Sequence, residues 1–269
     1  MSSFSQSLTV FRSVEAGNTI ASDELSNCLK WCRSAVCKPA IDSESLDLKN
    51  CHECIYIVFN LLKGSLLKAN AAHIGLQFLC NCVVVGSPIT TLELYSGFLQ
   101  LINCTQGEDV KTTSLIAALL FQCCTKHYEF ADKICIELVD KTEFLDKLIS
   151  IWRSDDKYDF TEWNLFLLEV LFSSQMFGLI FQNMPMKNRL ELFHCFSSHA
   201  VAISCERLVI AICKEFCRHV QDITSQPTVV LSSELFQCLA VLLEIVADLA
   251  DSHKNVINQQ CKLYPHSYC

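Results

Sequence analysis

An all-α fold, built as an armadillo- or HEAT-like helical solenoid, is what this sequence predicts, on three observations. Glycine and proline are scarce, 7 and 5 of 269 residues, too few for the closely spaced turns that sheets require. Apolar residues make up 51% of the chain and recur at i, i+3, i+4 and i+7, the period of a helix face. Similar apolar cores also repeat: LQFLCN (76–81) and LLFQCC (119–124) stand about 43 residues apart, the interval of armadillo and HEAT units.

In chain order, the elements follow from stripes and punctuation. The segment NCHECIYIVFNLL (50–62) carries Cys51, Cys54, Ile55, Val58 and Leu62 on one stripe. Its run IYIVF and the later VVV (83–85) are β-branched, yet each continues a helical stripe without a turn signal, so both read as helix. A second stripe within 65–85 is Leu67, Ala71, Ile74, Phe78 and Cys82. Gln106-Gly107-Glu108-Asp109 reads as a solvated loop. Thr142 with Glu143, and Thr161 with Glu162, are helix starts after acidic loops. Trp163, Phe166, Leu167, Val170 and Leu171 make a further stripe. Two more follow, Cys205, Leu208, Val209, Ile212, Cys213 and Phe216, then Leu235, Cys238, Leu239, Leu242, Val246 and Leu249. Pro88, Pro185 and Pro227 each bias the preceding residue toward extended backbone and mark boundaries. No linker divides the chain, so residues 1–256 form one helical repeat domain and 257–269 an unpatterned polar tail.

Composition excludes several classes of function. With 21 basic and 29 acidic residues the formal charge is −8, the wrong sign for a nucleic-acid groove, which displaces counterions with lysine and arginine. The first residues lack a charged n-region and long apolar h-region. The two most apolar stretches, 165–181 and 239–250, contain Glu169 and then Glu244 and Asp248, so neither suits a membrane span. A soluble, cytoplasmic protein with no nucleic-acid or membrane partner is expected. The 18 cysteines are then expected as reduced thiols.

GLQFLCN (75–81) resembles a segment of the ataxin-ten family. EWNLFLLEVLF followed by MPMKNRLELFHCF (within 162–196) resembles its tryptophan-led helix, phenylalanine-rich turn and N-x-x-R-[LV]-x-L-[LF] helix. The CHEC helix matches its cysteine-rich early helix, and CLAVLLEIVADLADSHKNV (238–256) its mid-protein helix. The resemblance spans roughly residues 20–256 and no short motif carries it alone. It implies a cytoplasmic, often perinuclear, protein-binding scaffold or adaptor associated with cell division, specifically cytokinesis, and with neurite growth and neuron survival. Two departures stand out. The family's second helical half is absent, and the CHEC helix lies only about 21 residues before GLQFLCN, half a repeat period. A helix is therefore expected to be missing there. The end near 250–258 reads as an uncapped solenoid terminus, an expected site of self-association.

Candidate chemical residues have plainer readings as helix positions. Cys51 and Cys54, with a second pair from Cys28, Cys32 or Cys37, offer zinc-type ligands, but none sits on a knuckle turn and His52 points elsewhere. Cys213 and Cys217, with His219 nearby, fall on or beside a packing stripe. His194 and Cys195 point about 100° apart on a helix, and Cys195 with His199 lacks a positioned third member. The phosphate-loop, dinucleotide, zinc-protease and nucleophile-elbow motifs are absent. Asp155, Asp156, Lys157 and Asp159 form a wet loop short of calcium ligands. Trp31, Trp152 and Trp163 are expected in the core. The expected function is recognition of other proteins, with no catalytic residue, no metal and no cofactor. The alternative is a cysteine-rich metal-binding or redox-sensing protein.

Overall fold

A computed structural model describes residues 3–37, 46–85, 96–105, 109–139, 141–153, 162–174, 176–177 and 179–180, with 240 and 247. The described residues are helical, with no strand among them. The helices are α1 (Phe4–Glu15), α2 (Ser22–Val36), α3 (Leu46–Lys63) and α4 (Ala69–Val85), then a 3-10 helix (Leu99–Thr105). They continue with α5 (Val110–Lys126), α6 (Phe130–Leu138), α7 (Thr142–Arg153) and α8 (Glu162–Ser173). No helix among the described residues is long and apolar enough to cross a membrane.

Helix ends show why the chain turns where it does. Ser3 Oγ caps α1 by accepting from Gln6 N at 3.2 Å. At its other end Asn18 N donates to Ser13 O (3.0 Å) and Gly17 N to Val14 O (2.9 Å), with Gly17 at φ 80°. That is a Schellman closure, in which a left-handed residue lets the chain fold back onto the last carbonyls. α3 ends the same way: Leu66 N donates to Leu61 O (2.9 Å) and Ser65 N to Leu62 O (3.0 Å). Here the left-handed position, φ 53°, is held by Ser65. α4 consequently begins at Ala69, so Leu67 of the expected stripe precedes the helix while remaining partly buried against the core. α5 is capped by Asp109, whose Oδ1 accepts from Lys111 N (3.1 Å) and Thr112 N (3.4 Å).

Packing skips along the chain. α1 packs mainly on α3, and α2 on α4; α4 then packs on α5, and α5 on α8. Consecutive helices such as α1 and α2, or α3 and α4, touch less extensively than these. α3 also meets the 3-10 helix, α5 meets α7, and α7 lies against α8. The expected gap between the CHEC helix and GLQFLCN is therefore a change of packing partner. α3 and α4 are consecutive, joined by residues 64–68, and they pack in different series. Gly75 sets their approach, since a Cβ there would stand 3.3 Å from Val58 Cγ1.

The core follows these contacts. Leu29, Leu76, Leu119 and Leu168, one each on α2, α4, α5 and α8, are all buried. α5 is buried continuously from Thr113 to Leu120, as a helix enclosed on every side must be. Phe78 and Phe130, both fully enclosed, each remove enough apolar surface to contribute about 2–3 kcal/mol. Ile55, Val58 and Val83 are buried within helices, in agreement with the helical reading of both β-branched runs. Thr142 and Glu162 open their helices as expected. On α8 the stripe is rotated: Asn164, Leu167, Leu168 and Leu171 are buried, while Trp163, Phe166 and Val170 lie on its flank. Trp163 is thus at the rim of the core and not inside it. Ala240 and Ala247 are helical and exposed, off the expected face; the rest of that stripe, the 205–216 stripe, Pro88, Pro185 and Pro227 lie outside the described residues.

Candidate functional site

The cysteines are the first place to look for chemistry, and the helices place them in seams. Cys51 and Cys54 project from the buried side of α3, Cys28 and Cys32 from α2, and Cys82 from α4. Cys54 Sγ lies 3.6 Å from the Phe4 carbonyl oxygen on α1, with the Cys32 thiol as its second neighbour. Ser7 is fully buried beside Cys28 and Cys32, and its Oγ has no partner in hydrogen-bonding geometry. Cys80 Sγ donates to Leu115 O at 3.8 Å and Cys135 Sγ to Leu171 O at 3.7 Å. Three thiols thus reach backbone carbonyls of another helix, from α3 to α1, α4 to α5 and α6 to α8. Each is a small apolar group with a weak donor, fitted to a dry seam.

Acidity follows from burial. Desolvation pushes the Cys80, Cys124 and Cys135 thiols up to about 12. Cys82 and Cys123 are raised too, by burial first and by neighbouring sulfurs second. Cys54 is held protonated by its hydrogen bond with Cys32 and then by burial. The thiolate is the nucleophile, and burial disfavours it at these positions; Cys32 runs the other way, held below the usual thiol range by its hydrogen bond with Cys54 despite burial. His52 is held below the usual imidazole range by burial, and its Nε2 is enclosed without a partner. Among the described residues no group of three or more His, Cys, Asp and Glu side chains is arranged to hold a metal ion. Cys37 is exposed and sits at the end of α2, its Sγ 3.7 Å from Arg33 O. Cys213, Cys217, His219, His194, Cys195, His199, Asp155, Asp156, Lys157, Asp159 and the Trp152 side chain lie outside the described residues.

Polar side chains bridge the same helix pairs that share apolar seams. Arg12 pairs with Glu53, and Asn60 Nδ2 donates to Glu15 Oε1 at 3.5 Å, both between α1 and α3. Arg33 donates to Gln77, and Asn81 Nδ2 donates to Arg33 O at 3.0 Å, between α2 and α4. His73 Nε2 meets Asp109 Oδ2 at 2.8 Å and Thr112 Oγ1 at 3.1 Å, joining α4 to the start of α5. Burial raises the Asp109 carboxyl, but hydrogen bonds from Thr112 and His73 outweigh it and hold the group below the usual carboxylate range. Asn164 Nδ2 donates to Ser114 Oγ at 2.8 Å, fully buried between α5 and α8. Exposed pairs of this kind are worth only about 0–1 kcal/mol each. They fix which turn of one helix faces which turn of the next.

Apolar side chains left outward include Tyr56 on α3, Val84 and Val85 on α4, Tyr128 between α5 and α6, and Ile136 on α6, with Tyr128 82% exposed. Trp31 meets Phe4 edge-on at 4.9 Å and leans on the core. Trp163 sits half-buried among rings of α5 and α8. No sequence signal marked that position as a rim, because its spacing from Phe166 and Val170 is also that of a core face. No protein-family model, no curated protein and no solved structure matches the chain.

Proposed function

We propose that the chain is a right-handed armadillo/HEAT-like helical solenoid that works without catalysis, as a protein-binding scaffold or adaptor of the ataxin-ten kind. The observation that carries the reading is the alternation of packing: α2, α4, α5 and α8 in one series and α1 with α3 in the other, the 3-10 helix touching both α3 and α5. A helix pair whose inner face is hidden only by the next pair is the unit of a solenoid. The bridges Arg12–Glu53, Arg33–Gln77 and Asn164–Ser114 join residues one unit apart, which supports the same arrangement. The scaffold belongs in the cytoplasm near the nucleus, with roles in cytokinesis and in neurite growth and neuron survival; these rest on the resemblance of GLQFLCN and the tryptophan-led helix.

Cross-linking of the intact chain with a lysine-reactive reagent, read by mass spectrometry, tests the solenoid. Cross-links confined to neighbouring units support it, and abundant links between α1 or α2 and α8 overturn it. Partners captured from cytosol, then purified and titrated one by one, test the scaffold. Saturable binding by a purified partner supports the reading, and failure of every purified candidate to bind overturns it. The cellular role predicts binucleate cells after depletion, reversed by restoring the chain; unchanged division removes it. Light scattering at rising concentration tests self-association at the C-terminal end, which strictly monomeric behaviour would exclude.

A further inference from the structure

Three rings stand together at the outer edge of the α5–α8 seam. Phe121 lies 5.8 Å from Trp163 and 5.6 Å from Phe166, and Trp163 meets Phe166 edge-on at 5.7 Å. All three are half-buried. Phe121 and the neighbouring Val170 lean on the core, and Trp163 and Phe166 rest on Phe121. At about 100° per residue, Glu169, Glu162, Phe166, Val170 and Trp163 fall in that order around one side of α8. The buried arc, Leu167, Leu171, Asn164 and Leu168, lies next to it. The flank is therefore a strip with carboxylates along one edge and aromatic side chains beside them, Glu162 exposed and Glu169 half-buried.

We infer that this strip is a docking surface for an arginine-bearing segment of a partner protein. A guanidinium is planar, weakly hydrated and always charged; it stacks on an aromatic face while its edge pairs with a carboxylate. The strip offers both within one helix flank, on a chain whose net charge of −8 draws cationic segments toward it. Lysine is a poorer fit, because its ammonium is compact and strongly hydrated and forms no planar stack. Tryptophan at a half-covered rim is also the residue type on which binding energy concentrates. The inference rests on the scaffold reading and names what one part of the scaffold's surface takes.

The test uses the full chain and a short blocked alanine peptide carrying two arginines one helical turn apart, with citrulline and lysine versions as controls. Tryptophan emission and calorimetry follow the titrations. Saturable quenching by the arginine peptide is expected, with the calorimetric affinity weakened about tenfold in Trp163→Ala and again about tenfold when Glu162 and Glu169 are both changed to Gln. Citrulline is expected to bind about tenfold more weakly, and lysine severalfold, with added salt weakening the arginine peptide. Equal binding of the citrulline peptide would mean an apolar segment is the occupant and would overturn the inference. So would no binding at millimolar peptide, or unchanged binding by a Trp163→Ala variant that melts like the parent. Dimerisation of the parent chain abolished by Trp163→Ala would assign the strip to a second copy, and would also overturn it. Peptide failure beside local cross-links sinks the strip alone; peptide success beside scattered cross-links sinks the solenoid and leaves the strip.

Discussion

Replacing Cys82 with serine tests in one position whether the thiols are there to pack. Cys82 is 2% exposed on α4, and burial followed by the Cys51, Cys32 and Cys80 sulfurs keeps it protonated. Cys82→Ala removes one sulfur atom and leaves a small void, which costs about 1 kcal/mol. Cys82→Ser keeps nearly the same shape but buries a hydroxyl, which costs about 1–3 kcal/mol when no partner is supplied. The new hydroxyl's nearest outlet is the Phe78 carbonyl one turn back, a bond that bends helices and recovers only part of that loss. Serine should therefore be the worse of the two, at about 2 kcal/mol, or roughly 4–8 °C in melting temperature for a chain of this size. Urea unfolding followed by far-UV circular dichroism reads the difference, provided the slope is unchanged. A serine variant as stable as the parent refutes the packing argument. Alanine and serine equally damaging, with a bound metal lost from both, refutes it from the other side.

Further outcomes follow from named groups. Ser65→Gly should raise stability by about 0.5–1 kcal/mol, since glycine holds a left-handed cap without a Cβ clash, and Gly17→Ala should lower it by about 1 kcal/mol; equal and opposite melts at these two caps check both. Asp109→Ala removes the α5 cap and the His73 tie and should cost about 1–2 kcal/mol. Because the folded Asp109 carboxyl lies below its ordinary value, its contribution is complete above pH ~4 and is lost as pH falls through the folded value. The parent should accordingly lose more stability than Asp109→Ala between pH 5 and pH 2, and parallel acid curves would remove the assignment. Asn164→Ala strands the buried Ser114 hydroxyl and should cost about 1–3 kcal/mol; adding Ser114→Ala should cost clearly less than the sum, and simple additivity would deny the coupling.

Periodicity made α3 and α4 legible, because Cys51, Cys54, Ile55, Val58 and Ile74, Phe78, Cys82 repeat at helical spacing and all prove buried. The starts of α7 and α8 were legible from Thr142 and Glu162 after acidic loops. The change of packing series at residues 64–68 was not. It depends on a left-handed Ser65 beside Gly64, a turn signal that marks a break but not which helices pack together beyond it, and on Gly75 admitting Val58 at close range. Spacing alone also placed Trp163 in the core, since it gives the period of an apolar face and leaves its rotation by one position undetermined. Asn164, a polar residue inside that face, became intelligible only once Ser114 was found opposite it. The thiols read as core from their stripes, and the carbonyls they reach lie 35–50 residues away in the chain, a relation no local pattern contains.

Thiol labelling of the native chain, resolved cysteine by cysteine, bears most directly on the central claim that the buried cysteines among the described residues fill dry seams between packed helices. Among the described cysteines, a pulse of alkylating reagent at neutral pH should modify exposed Cys37 first, and Cys51, Cys54, Cys82, Cys123 and Cys135 only after denaturant opens the fold. Labelling of Cys51 or Cys54 within about tenfold of the Cys37 rate, in protein that still melts cooperatively, would contradict it.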